Sequence, residues 1–290
     1  MGRRVVVVGD VMTDVVATLS GPIAHGSDTA ARVVQRGGGA GANVAVWLAR
    51  SGATVTLIGC VGDDPAGREA ARALAAEGVD VQLAIDAARP TGTCVVLVEP
   101  GGERSMLPDA GANAGLQAVA LPQDAAHLHL AGYALLHPGS RPAARALLAA
   151  ARDAGLGVSV DPASAAPLKG ANAFLEWVQG VDLLVPNHDE AAVLTGMRDP
   201  EAAARALTAQ AREVVVTLGA EGALWSGGAS QRRAPALDVH AVDTTGAGDA
   251  FAAGLLAARM AGADPSDALG AGCSLAALAV AREGGRSTWS

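Results

Sequence analysis

Ala241-Val242-Asp243-Thr244-Thr245-Gly246-Ala247-Gly248-Asp249-Ala250-Phe251 is the stretch on which the reading of this chain turns. Val239 to Val242 is short and apolar, suited to the end of a strand. Asp243 and the two threonines are residue types that cap helices. Gly246, Ala247 and Gly248 carry almost no side chain, so a ligand can approach the backbone there. From Ala250 to Met260 the residues are small and apolar, with Phe251, Leu255 and Leu256 and a Gly254 that permits close packing. That pattern predicts a buried helix. A helix start with free N–H groups attracts an anion. A carboxylate in the same place, Asp249, would repel an anion unless it serves to take a proton from a nucleophile attacking that anion. Phosphoryl transfer needs both features together. The competing reading of Gly-Ala-Gly-Asp on its own is a glycine turn capped by an aspartate.

The rest of the composition narrows the classes. The chain has 290 residues, half of them hydrophobic, and a net charge of −8. That balance argues against nucleic acid or an anionic membrane as partner, since both select a basic surface. A phosphate ligand would then be held by backbone amides and a metal rather than by a cluster of basic side chains. Lys169 is the only lysine, and no G-x-x-x-x-G-K-[ST] string occurs, which excludes a P-loop nucleotidase. Cys60, Cys94 and Cys273 are odd in number and far apart, a reduced, cytoplasmic pattern. The apolar run after Arg4 is too short for a secretion signal, and no apolar stretch has the length of a membrane span.

Arg4 to Val8 predicts a buried first strand, and Asp10 and Asp14 follow its carboxyl end, where ligands of open α/β sheets sit. Residues 15–36 alternate weakly around Ser20-Gly21-Pro22 and predict short antiparallel strands. Gly92 to Glu99 and Glu103 to Leu107 predict a hairpin across Pro100-Gly101-Gly102. Between them, Arg36-Gly37-Gly38-Gly39-Ala40-Gly41-Ala42-Asn43 precedes an apolar helix. It does not follow the first strand directly, so it is not read as a dinucleotide fingerprint. His127 and His129 share one face of a strand. They are either a pair of metal ligands lacking a third or ordinary core histidines. From Arg141 to Val185 helices and strands alternate, which means parallel strands with crossover helices. Asn187 and Glu190 share a helix face; alone they read as a cap and a surface acid. Val214 to Leu218 with Gly219-Ala220-Glu221-Gly222 is a strand and tight turn, Ala223–Trp225 and Leu237–Val242 a strand pair, and Pro265 to Ala281 the last helix.

Asp243 to Phe251 resembles the C-terminal signature of the ribokinase-like, or PfkB, carbohydrate kinases. Gly38, Gly39, Gly41, Asn43 and Ala45, followed by Gly52 and Gly62, resemble the family's N-terminal signature. The resemblance covers essentially the whole chain. It implies a three-layer α/β/α fold with a mainly parallel sheet, one domain over 1–290, and a small β-sheet lid inserted at about 12–36 and 91–107. It implies ATP-dependent transfer of a phosphoryl group to a hydroxyl of a sugar or a nucleoside. Asp249 would be the base, with the N–H groups of Gly246, Ala247 and Gly248 around the phosphoryl. Asp14, Gly38, Gly39 and Asn43 would hold the acceptor, and Asp243 would brace the loop. Asn187, Thr217, Gly219, Gly222, Gly248 and Cys273 would contact ATP. Mg²⁺ would be placed through water near Asn187 and Glu190, and K⁺ near Asp243, Thr245, Ala279, Arg282, Gly284 and Thr288. Lids of this family often pair, so a homodimer is expected, in the cytoplasm, with no nucleic acid and no membrane. Met12 stands where ribose-specific members have Asn, and Ala131-Gly132-Tyr133-Ala134 lacks their Glu; both differences argue against ribose. A nucleoside or pseudouridine kinase of the same fold, and a sugar sensor without catalysis, are the rival readings. Many members continue past the point where this sequence stops, into one more helix.

Overall fold

The computed structural model describes residues 4–286. Thr288, a K⁺ candidate, lies outside them. The strands are β1 Arg4–Val8, β2 Met12–Leu19, β3 Ala31–Gly38, β4 Val55–Gly62, β5 Asp80–Asp86, β6 Gly92–Val98, β7 Arg104–Asp109, β8 Ala125–Ala131, β9 Gly157–Asp161, β10 Val181–Leu184, β11 Ala211–Thr217, β12 Ala223–Gly227 and β13 Ser230–Ala234. The helices are α1 Ala40–Arg50, α2 Pro65–Ala76, α3 Tyr133–Leu136, α4 Arg141–Asp153, α5 Ala165–Leu168, α6 Phe174–Trp177, α7 His188–Thr195, α8 Pro200–Leu207, α9 Ala247–Met260 and α10 Pro265–Val280.

Among the described residues the strands form two sheets. The larger has nine strands in the order β13-β12-β11-β10-β9-β8-β1-β4-β5, and the smaller has the order β3-β2-β6-β7. Every neighbouring pair from β11 to β5 is parallel, and β12 and β13 add an antiparallel edge. The first strand explains why both faces are covered. Its four valines are fully buried. Alternation sends Val5 and Val7 into the core under α1, α9 and α10, and Val6 and Val8 into the core under α4, α7 and α8. The three-layer expectation is met.

Helix starts follow sequence signals. Asp64 and Asp264 accept N–H bonds at the starts of α2 and α10, each with proline at the next position. Gly254 lets α9 and α10 touch: a Cβ there would lie 2.6 Å from Ala271 O. One strand assignment is corrected. β12 pairs with polar β13, whereas residues 235–243 form no strand. Leu237, Val239 and Val242 are exposed, so their apolar alternation reflects no sheet face.

Sheet order also locates a crevice. From β1 the chain proceeds to β4 and β5 on one side and to β8–β11 on the other. β1 is therefore the topological switch strand, and ligands collect beyond the carboxyl ends of the strands at such a point. Gly9-Asp10 follows β1, Asp161 ends β9, and Asn187 and Thr217 lie at the corresponding ends of β10 and β11, where they form a parallel bridge.

Candidate active site

The start of α9 is shaped by Gly246, whose φ of 74° is left-handed; a Cβ there would lie 2.6 Å from Gly285 Cα. Gly246 is the N-cap, and no side chain caps the helix. This corrects the expectation that Asp243 or a threonine does so. Asp243 is turned the other way: its Oδ1 accepts the Thr245 N–H at 2.7 Å and its Oδ2 the Gly284 N–H at 2.9 Å. The Ala247 N–H points back to Thr244 O at a long 3.3 Å. A Cβ on Gly248 would meet nothing within 4 Å, so this helix end opens on free space.

Asp249 stands on the first turn of α9. Asn43 Nδ2 donates to its Oδ2 at 2.8 Å. Burial pushes its carboxyl up to about 8, against the Asn43 hydrogen bond; the negative charges of Asp161 and Asp10 push the same way. Burial also raises Glu190 to about 8, helped by Asp161, Asp189 and Asp249. Asp161 rises to about 6, and Asp10 is raised too, both by burial. Two carboxyl groups of the crevice, Asp249 and Glu190, thus hold protons near neutral pH. A group of that kind accepts a proton from a hydroxyl and releases it again.

The opposite wall comes from the small sheet and α1. Asp14, on β2, is buried, and burial raises it to about 6 while nearby Arg286 lowers it. Gly38 ends β3, and a Cβ on it would fall on the Asp14 carboxylate. Asp10 Oδ2 and Oδ1 accept the Ala40 and Gly41 N–H groups at 3.2 and 3.3 Å, anchoring the glycine run that includes Gly39. Arg286 Nε donates to Asn43 Oδ1 at 2.7 Å, and another guanidinium nitrogen donates to Gly38 O. Asn43 is therefore oriented by Arg286 on one side and presented to Asp249 on the other.

Along the carboxyl edge, Asn187 caps α7. Glu190 N–H donates to Asn187 Oδ1 at 2.9 Å, while the Asn187 N–H and Nδ2 donate to Glu190 Oε2 and Oε1 at 2.8 and 2.7 Å. Glu190 is only 2% exposed, so it is no surface acid. Thr217 donates its N–H to Pro186 O at 3.0 Å, and Gly219 follows with open space at its Cα. Gly222 closes the turn by accepting the Leu218 N–H at 2.8 Å. Cys273 is buried in the core among α9 and α10 residues. His127 and His129 both bond Ser159 Oγ, at 2.8 and 2.9 Å. Burial lowers them to about 4 and about 3, so they are neutral core histidines.

Residues 3–290 match the profile of the pfkB family carbohydrate kinases. The chain belongs to the pfkB family. It is 37% identical over 269 residues to a fructokinase from Klebsiella pneumoniae, covering 89% of this chain and 84% of the relative. It is 32% identical over 260 residues to a ribokinase from Haemophilus influenzae, covering 87% and 83%. A solved fructokinase double mutant from Vibrio cholerae O395, bound to fructose, ADP and potassium ion, superposes with a TM-score of 0.80. It is 29% identical and covers 98% of this chain and 94% of that one.

Within this pfkB kinase, sequence reading left several crevice residues without a role. Asp161 had one usable signal, an Asp-Pro step at a strand end. Asp10 had its place after β1. Arg286 and Arg104 had none, because their partners are far away in the chain. The fit of the two expected metals differs. Among the described residues no three His, Cys, Asp or Glu side chains converge to hold a metal by themselves. Glu190, Asp161 and Asp249 nonetheless raise one another's hold on protons, and a cation nearby would relieve that crowding, which suits a hydrated Mg²⁺ arriving with nucleotide phosphates. Among the described residues the Asp243 side of the K⁺ corner does not fit. Both Asp243 oxygens accept backbone N–H groups, Arg104 Nη1 lies 2.8 Å from Oδ1, and Ala279 O accepts the Arg282 N–H at 3.2 Å.

Proposed function

We propose that this carbohydrate kinase transfers the γ-phosphoryl of ATP to a CH₂OH group of a sugar. The observation that carries the reading is Asp249: a carboxyl raised to about 8, held by Asn43, on the first turn of an uncapped helix. In this reading Asp249 takes the hydroxyl proton, the oxygen bonds the phosphorus, the bond to the bridging oxygen of ADP breaks, and ADP leaves. In this reading the N–H groups of Gly246 and Gly248 face the charge on the transferring phosphoryl, and that of Ala247, which points to Thr244 O at 3.3 Å, would have to turn to join them. A preorganised donor of that kind lowers the barrier by on the order of 3 kcal/mol. Mg²⁺, when bound with the nucleotide, neutralises phosphate charge; Glu190 and Asp161 would hold its water shell. In this reading Asn187, Thr217, Gly219 and Gly222 line the nucleotide side and Asp14, Gly38, Gly39 and Asn43 the acceptor side, while Cys273 is packed in the core. The small sheet acts as a lid that excludes water, a competing nucleophile, and the chain works as one kinase domain over 1–290.

A coupled assay of ADP release over pentoses, hexoses, keto-deoxy acids and nucleosides tests this. Saturable turnover of a sugar is expected; sugar binding without ADP release from any acceptor would make the protein a sensor. With the acceptor in hand, Asp14→Ala should raise the acceptor KM at least tenfold, a loss of about 1.4 kcal/mol in binding, and leave the ATP KM near its starting value. A defect confined to ATP would contradict the acceptor role.

We also propose that two copies pair through the lid. Val33, Val95 and Leu107 lie on the sheet face opposite Asp14, and are 59%, 37% and 56% exposed. Such a stripe is typical of an interface. Sedimentation should show a dimer that Leu107→Glu dissociates; a monomeric parent chain would rule it out. The free, buried cysteines support a reducing, cytoplasmic setting. Among the described residues no helix is long and apolar enough to cross a membrane.

A further inference from the structure

Arg104 begins β7, in the small sheet, yet its guanidinium leaves that sheet for the loop ahead of α9. Nη1 lies 2.8 Å from Asp243 Oδ1, 3.0 Å from Thr245 Oγ1 and 3.2 Å from Thr244 Oγ1. The two charged side chains are 20% and 17% exposed, so the pair is largely withdrawn from water and poorly screened. Burial pushes Asp243 up, but N–H bonds from Thr245 and Gly284, the Thr245 hydroxyl and then the Arg104 charge hold it below the usual carboxylate range. A second cation from the small sheet reaches the same corner: Arg36 Nη2 meets Glu283 Oε2 at 2.5 Å, next to Gly284. The loop so gripped sets the left-handed turn at Gly246 and with it the aim of the first N–H groups of α9.

We propose that Arg104 is a positioning residue that supplies, from the lid, the fixed positive charge of loop 243–246, so that catalysis needs no monovalent cation. Two features carry this. Both oxygens of Asp243 already serve N–H donors, the Thr245 hydroxyl bonds the same carboxylate, and a guanidinium lies in contact distance. An ion ligated by Asp243 would stand beside that guanidinium and be repelled by it. The arrangement also ties the acceptor side to the phosphate side. The strand that carries Arg104 pairs with β6, β6 pairs with β2, and β2 carries Asp14. Displacing the small sheet withdraws the charge that steadies the loop.

The inference rests on the phosphotransfer reading for its kinetic arm and not for its thermal arm. The first arm compares turnover of the acceptor found in the screen in KCl, NaCl and choline chloride at one ionic strength, for the parent chain, Arg104→Gln and Arg104→Lys. Parent rates should agree within about twofold across the salts, whereas Arg104→Gln should lose about tenfold or more in kcat through a loosened loop. Arg104→Lys or millimolar guanidinium should restore part of that loss. The second arm needs no acceptor: the melting temperature of the parent chain should be the same in KCl and in choline chloride. A parent chain activated or stabilised selectively by K⁺ overturns the proposal. So does an Arg104→Gln protein with parental rates, or one whose loss neither lysine nor guanidinium repairs. Should no acceptor turn over, the kinase reading fails and the melting comparison alone decides this one.

Discussion

Asp249→Asn should lower kcat by a factor on the order of 10³ while nucleotide still binds. The substitution keeps the shape of the side chain and an oxygen to accept from Asn43 Nδ2, so the contact at 2.8 Å survives. Because the carboxyl is raised to about 8, it is largely uncharged at neutral pH, and a neutral amide is a close replacement for folding. What is lost is the ability to take a proton. The sign of the pH dependence follows. Below about 8 the carboxyl already holds a proton and cannot act as base; above it the group is free. In the parent protein kcat/KM should therefore rise with pH through a midpoint near 8 and level off above it, and that limb should be missing from Asp249→Asn. Turnover near the parental rate, or an unchanged pH limb, would remove the base assignment.

Gly248→Val should cut turnover about a hundredfold, because its side chain crowds the backbone N–H groups and denies the phosphoryl a preorganised donor. The position tolerates a side chain as far as the protein is concerned, since a Cβ there meets nothing within 4 Å. The melting temperature should therefore move little, and the defect should fall on kcat and on use of ATP rather than on stability. That split separates a blocked phosphate site from a broken helix. Unchanged kinetics would mean that phosphate sits elsewhere. Gly246 is the contrasting case. Its left-handed φ and the 2.6 Å approach to Gly285 make any substitution there a folding defect first, and a poor probe of catalysis.

The parts of the site that were legible in the sequence are those whose chemistry is local. β1 announces itself because a strand buried on both faces must be apolar at every position, and Val5 to Val8 are. The start of α9 is legible from the whole run Asp243 to Phe251, since Gly-Ala-Gly-Asp alone reads equally as a capped glycine turn. Asn187 and Glu190 are legible as a pair because one helical turn brings them together. The strand proposed over Leu237–Val242 failed because apolar alternation is also produced by an exposed loop. The true partner of β12 is the polar strand after Gly227-Gly228. Long-range electrostatics were invisible. Arg286 meets Asn43 across 243 positions, and Arg104 meets Thr244 across 140. Nothing in their neighbours marks either arginine, and only the folded sheet order brings them to the crevice. Asp10 and Asp161 were visible as strand-end acids, but their crowding with Asp249 and Glu190 depends on which strands are neighbours.

The most direct measurement of the account is a structure of the protein with its acceptor, Mg²⁺ and a non-hydrolysable ATP analogue. The acceptor hydroxyl should lie within about 3.2 Å of an Asp249 carboxylate oxygen, and γ-phosphate oxygens within about 3.1 Å of the N–H groups that open α9. An acceptor hydroxyl aimed away from Asp249, or a nucleotide whose phosphates avoid that helix start, would contradict it.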